Sequence, residues 1–344
     1  MTEIKRFLKE YDGPPLRLME VCGTHTAEIS RCGIVSMLSP KIRLVSGPGC
    51  PVCVTVTAYV DRLMELCREP GNTVVTFGDM LRVRGSEKCL NDARAEGGRV
   101  RMVYSPMDVL KLAPKEPDQT FIFAAVGFET TAPVYALLLE ETLRRGLKNV
   151  RLLTSLKPIP PVIDWVCRNQ GGVDGFLAPG HVSVVTGSRI FRPLARRYGI
   201  PFAVAGFQGD ELLVAIAALV KKRGSGCVMN LYPYAVTENG NEKAQAAVNK
   251  YFSPHDAAWR GIGVIPDSGM ELRPEYARFD AGSGGLYEDK GTNADCRCGQ
   301  VLTGALTPSQ CPLFGTACTP QTPQGACMVS MEGSCYHYYL NKRG

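Results

Sequence analysis

No run in this 344-residue sequence approaches the roughly 20 consecutive apolar residues that a bilayer-spanning helix needs. No apolar segment of signal-peptide type follows the basic start MTEIKRFLKE either. The sequence therefore reads as that of a soluble, cytoplasmic protein. Strong charge of one sign is also missing. The formal net charge is +6 and the basic residues are scattered, apart from Arg144-Arg145 and the KKR at 221–223, so neither a nucleic-acid nor a membrane-surface partner is expected. There is no G-x-x-x-x-G-K-[ST] and no convincing G-x-G-x-x-G, which argues against a P-loop NTPase and a dinucleotide dehydrogenase. Acidic residues are lacking from Cys296 until Glu332, in a segment that instead holds six of the chain's 14 cysteines.

In a reducing compartment a cysteine cluster binds metal or does redox chemistry more readily than it forms a disulfide framework. The rest of the chain is ordinary by composition, with 45% apolar and 21% charged residues, and is long enough for two or three compact units. Short β-branched runs alternate with helical patterns, the mark of parallel α/β units. LRLMEVCG (16–23), KIRLVSG, NTVVTFGD and GRVRMVYS read as strands of a first domain, with TAEISRCGIVSML as a helix. The charged, Pro-containing APKEPDQ (113–119) marks a boundary, after which TFIFAAVG, NVRLLTSL, VDGFLAPG and PFAVAGF read as strands of a second domain. Past about residue 228 the strand signal gives way to the helical ENGNEKAQAAVNKYF and to Gly/Pro-rich loops. The expected division is thus 1–116, 117–230 and 231–344: two parallel-sheet α/β domains facing a cleft, plus a loop-rich C-terminal region. Because that region lies outside the alternation, it is expected to be a satellite of the α/β core.

The unusual residues fall just past predicted strands, in CGTHT (22–26), GPGCPVC (47–53), FGD (77–79), GFETT (127–131), APGHVS (178–183) and AGFQGDE (205–211); in FGD and AGFQGDE they read equally as plain turn residues. That edge of an open α/β sheet is where ligands bind. Cys22 would sit where a strand leads into a helix, and a helix N-terminus favours a thiolate. With His25 three residues on, it is a metal-ligand or nucleophile candidate. Cys50 and Cys53 form a C-x-x-C, suited either to a disulfide or to two thiolates on one ion. His181 and Glu129 stand in motif loops without an assignable role. Cys32, Cys67, Cys89, Cys167 and Cys227 fall singly and read as packing. At the C-terminal end, four thiolates within Gly/Pro-rich loops can wrap a [4Fe–4S] cube. Six thiols less four leave two, enough for a dithiol beside it.

Taken together, CGTHT, GPGCPVC, GFETT, PGHVS and the terminal CRCG…CPLFGTACTP…PQGACMVSMEGSCYHYY resemble the HypD family of [NiFe]-hydrogenase maturation proteins. The resemblance runs from about residue 16 to about 339. It implies a redox-active assembly scaffold, more than a turnover enzyme, on which the Fe(CN)2CO unit is built with a small partner, HypC, and a cyanide-donating partner, HypE. It further implies that Cys22, His25, Cys50 and Cys53 handle iron, with the three cysteines as its ligands. Cys296, Cys311, Cys318 and Cys335 would hold the [4Fe–4S] cluster, leaving Cys298 and Cys327 as the spare dithiol. Soft thiolates suit low-spin iron, and a cluster, a dithiol and a C-x-x-C would form an electron relay. A stand-alone iron–sulfur thiol–disulfide reductase would account equally for the six C-terminal cysteines. It gives no reason for Cys22 and His25 to accompany the C-x-x-C.

Overall fold

The computed structural model describes residues 1–291 and 293–341. Among the described residues eleven strands follow one another: β1 Leu16–Glu20, β2 Ile42–Ser46, β3 Asn72–Thr76, β4 Val100–Met102, β5 Thr120–Gly127, β6 Val150–Leu156, β7 Gly175–Pro179, β8 Phe202–Ala205, β9 Val228–Asn230, β10 Phe252–Trp259 and β11 Gly263–Leu272. They form two sheets, ordered β2-β1-β7-β8-β9 and β10-β11-β6-β5-β3-β4. The chain is α/β with two parallel-dominated sheets, as expected.

The compact units are interleaved along the chain. One comprises 1–50, 159–242 and 295–344, and the other 51–158 and 243–294. The expected cuts after 116 and 230 follow composition along the sequence, whereas the strands of each sheet come from separated stretches. The central runs, such as β5 and β7, bury both faces between parallel neighbours.

In the first unit every strand pairing is parallel. Leu16, Leu18, Ile29, Ile42, Leu177, Leu212 and Ile216 are buried in one apolar core. Full burial of such a side chain stabilises by about 1.5–3 kcal/mol. The expected helix TAEISRCGIVSML is broken. It runs Gly23–Arg31 and a 3-10 turn follows at Ile34–Met37, because Gly33 takes φ +61, a left-handed conformation open to glycine. The C-terminal segment is not a satellite, since 295–344 belongs to this unit. Val301, Leu302, Met328 and Val329 are buried, and the Arg17 guanidinium at the start of β1 donates to the Gly304 carbonyl at 2.6 Å.

The second unit is built around Phe121, Phe123, Tyr135, Leu138, Leu152 and Tyr251. Its β3–β6 strands are mutually parallel, and the β10–β11 hairpin adds antiparallel. Strands β9, β10 and β11 correct the expectation that the strand signal ends near 228. Pro254 and Pro266 hide the hairpin in the sequence, since proline donates nothing to a ladder. Both are tolerated here because β10 is an edge strand and β11 meets β6 only at Met270 opposite Leu156.

Candidate functional site

Because β1, β2, β7 and β8 run parallel, their following loops all emerge at one edge of the first sheet. The chain leaves β1 toward β2 on one side, while β7, β8 and β9 lie on the other, so β1 and β7 flank the point where the strand order reverses and a ligand crevice forms. Cys22 follows β1 and His181 follows β7.

Cys22 is the N-cap of the helix Gly23–Arg31, in extended conformation. The loop after β2 is pressed onto it. The Gly23 N–H donates to the Gly49 carbonyl at 3.0 Å, and a Cβ on Gly49 would lie 2.2 Å from the Cys22 backbone nitrogen. Only glycine fits there. Gly49→Ala should therefore cost about 1–3 kcal/mol, read as a lower melting temperature; an unchanged melt would mean that this loop does not press on Cys22.

The helix N-terminus expected to favour the Cys22 thiolate is in place, and the backbone N–H groups of His25 and Thr24 do pull the thiol pKa down. Burial is the larger influence, and the neighbouring Glu20 and Glu332 carboxylates oppose ionisation further, so the thiol is pushed up to about 12. The expectation of a lowered pKa is corrected accordingly. A cation beside the sulfur would reverse that balance. Glu20 is 2% exposed. Its carboxylate accepts the Cys22 N–H at 2.9 Å and the Thr26 hydroxyl at 2.6 Å, and desolvation raises it to about 7 despite those bonds.

His25 is wholly buried. Its Nε2 lies 3.0 Å from the Gly206 carbonyl, which assigns the proton to Nε2. Nδ1 is left as a buried lone pair without a hydrogen-bond partner. Desolvation lowers the imidazole to about 4, so it is neutral and able to bind a metal, its other nitrogen oriented by a carbonyl in the usual manner of metal-binding histidines. Phe207 stacks on His181 at a centroid distance of 3.8 Å and meets His25 in a tilted contact at 5.0 Å. Among the described residues no three His, Cys, Asp or Glu side chains are grouped to hold a single metal ion. Cys22 and His25 alone therefore do not complete a metal site.

Cys50 and Cys53 are disulfide-bonded, while Cys22 and the six C-terminal cysteines are in the reduced, thiol form. Glu129 lies in the second unit, buried just beyond β5. The scattered cysteines stay apart from these groups; Cys67 is 1% exposed and Cys32 donates to Glu28 at 3.1 Å.

All six C-terminal cysteines line a single cavity of about 10 Å³, with Val301, Phe314 and Met328. Gly325 lets the backbone approach, for a Cβ there would be 2.8 Å from the Cys296 sulfur. Cys298 and Cys327 are a close pair, their sulfurs 3.2 Å apart. Burial raises the Cys296 and Cys318 thiols, and the hydrogen bonds with Cys298 and Cys335 hold Cys327 well up. The donor set is chemically right for an iron–sulfur cluster: soft thiols in an apolar pocket with flexible Gly/Pro loops. The cavity has room for about one water, so the loops must part to take an eight-atom cube.

This cavity and Cys22 share a support. The helix Ser334–Asn341, which begins at the cavity with Cys335, packs on the helix Gly23–Arg31. A Cβ on Gly23 would sit 2.4 Å from the Glu332 Cβ.

Residues 1–342 match the model of the HypD family, described as the hydrogenase formation hypA family. The chain belongs to the HypD family. It is 42% identical over 339 residues to the hydrogenase maturation factor HypD of Azotobacter vinelandii, covering 95% of this chain and 89% of that one. It is 41% identical to HypD of Escherichia coli K12, covering 94% and 89%. A putative hydrogenase expression/formation protein of Methanocaldococcus jannaschii is 40% identical, covering 95% and 92%. No helix among the described residues is long and apolar enough to cross a membrane.

Glu20 and Glu332 belong to none of the strand-end motif loops, and Phe207, although in the AGFQGDE loop after β8, is given no role by it. Glu20 had a visible signal, a carboxylate closing an apolar strand run. Phe207 and Glu332 become part of the site only through folding.

Proposed function

We propose that this protein is a hydrogenase maturation factor that serves as the scaffold for assembling an Fe(CN)2CO unit, with Cys22 and His25 as anchors for the iron cargo. HypC-type and HypE-type proteins would supply the remaining ligands and the cyanide. The observation that carries the reading is the shared helix pair, by which the six-thiol cavity and the Cys22 helix brace each other within one unit.

Cys296, Cys311, Cys318 and Cys335 would hold a [4Fe–4S] cluster, which supplies one-electron chemistry when bound. The chain's own residues account for the rest. Cys298 and Cys327, already adjacent, give up two electrons and two protons on closing to a disulfide. The disulfide-bonded Cys50 and Cys53 take up the same number on opening to thiols. Buried, neutral His25 offers a lone pair to the iron without adding charge.

If this division of the thiols is right, Cys298→Ala and Cys327→Ala proteins should each retain roughly four irons per chain, as a four-thiolate cluster requires, yet fail to support maturation. Loss of most of the iron in either variant would show that the residue is a cluster ligand. The stand-alone reductase reading shares the C-terminal half of this scheme. Infrared spectra of the complex with the small partner separate the two, since only a scaffold carries cyanide and carbonyl bands.

A further inference from the structure

The second unit has its own crevice edge, where β5 and β6 end side by side. Directly after β6 comes Lys157, which is 4% exposed. Its ammonium makes one hydrogen bond, to the Ser155 hydroxyl at 2.8 Å, and sits 5.9 Å from the Trp259 ring centroid. Among the described residues no carboxylate forms an ion pair with it. An ammonium carries three N–H donors, and burying one without a counter-charge is costly. Desolvation accordingly lowers Lys157 to about 7.

The surroundings have the same deficit. Lys157, Ser155, Thr154 and His255 line one cavity of about 30 Å³. The Thr154 hydroxyl and His255 Nδ1 are both buried with no hydrogen-bond partner. His255 is placed there by design of the hairpin. The hairpin register slips beside it, His255 facing Gly269 and Ala257 facing Ile265, so the extra residues bulge from β11, and a Cβ on Gly269 would lie 2.4 Å from the imidazole. Two carboxylates are nearby. Asp256 lines the cavity but is exposed and accepts the Asp267 N–H at 3.1 Å, and Glu271 acts on His255. Neither meets the ammonium.

Three groups that can donate, one of them cationic, therefore converge on a space of about two water-sized groups. A water would satisfy a donor but leave the charge. We propose that this cavity binds a small monovalent anion of one to three heavy atoms, seated on Lys157 Nζ and held by the Thr154 hydroxyl and the His255 imidazole. The proposal is independent of the iron site in the first unit and of the maturation reading.

The test uses azide as the probe, followed by infrared spectroscopy on the full-length protein. Wild-type protein should show a saturable, shifted azide band that bromide displaces. Lys157→Met removes the charge at similar length and should weaken azide by about tenfold or more, the worth of a hydrogen bond to a charged group. Its melting temperature should hold or rise, because an unpaired buried charge has gone. Thr154→Val, isosteric and uncharged, should weaken azide several-fold. No saturable band in wild type, or an unchanged band in Lys157→Met, overturns the proposal. Should Lys157→Met fail to fold, Thr154→Val decides: a weakened band supports the site and an unchanged one overturns it.

Discussion

On the proposed scaffold function, Cys22→Ala protein isolated with a HypC-type protein should show no cyanide or carbonyl bands in the infrared, while absorbance from the proposed C-terminal cluster stays at the wild-type level. Cys50, the other cysteine brought to this edge of the first sheet, is tied up in a disulfide, so Cys22 is the thiol free to anchor iron there. The substitution removes one buried sulfur and leaves the helix Gly23–Arg31 and its contacts in place. Its stability cost should be near 1 kcal/mol, too small to unfold the unit. Because the thiol is held near 12 by burial and by Glu20 and Glu332, its proton must leave as iron binds. Loading of wild-type protein should therefore strengthen as pH rises, as metal binding to a protonated ligand does. His25→Ala should weaken or slow the appearance of the bands instead of removing them. Wild-type bands in Cys22→Ala would move the anchor to the C-x-x-C or to the partner.

How much of this was legible beforehand depends on the range over which each signal acts. The central strands could be read because they bury both faces and so appear as near-continuous apolar runs, TFIFAAVG being the plainest; the edge strands β2 and β4 carry exposed positions and were read from their β-branched residues and flanking turns. The β10–β11 hairpin could not, because Pro254, Asp256 and Pro266 interrupt it and its pairing is decided by an edge position visible only in the fold. Among site residues, Cys22, His25 and the six C-terminal cysteines stood out by type and spacing, and the fold brings the six to one cavity. The energetics of Cys22 did not follow from its position at a helix start. Local sequence announces the helix N-terminus, but burial comes from Gly49 and the Glu332 turn, residues far apart in the chain. Lys157 is the extreme case. In TSLKPIPP it looks like an ordinary loop lysine, and only the fold buries it.

Removing iron from the proposed C-terminal cluster should loosen the helix that carries Cys22 and His25 while leaving the sheet beneath it intact. Cys335 opens the helix Ser334–Asn341, so a cluster that holds its sulfur also fixes that helix. The helix in turn leans on Gly23–Arg31: the Ser30 hydroxyl donates to the His337 carbonyl at 3.3 Å, Asn341 hydrogen-bonds Ser30, and Glu332 abuts Gly23. The opposite face of Gly23–Arg31 is secured separately, through Ile29 in a core made with Leu18, Leu177 and Leu212 and containing nothing from the C-terminal segment. Chelating the iron from oxidised protein should thus speed amide exchange across 23–31 by about tenfold if about 1.4 kcal/mol of packing is lost. Amides of β1, β7 and β8 should keep their protection, and the far-UV dichroism should change little. Unchanged exchange at 23–31 would show that the two centres are mechanically independent. Loss of protection throughout the sheet would show that cluster and core unfold as one.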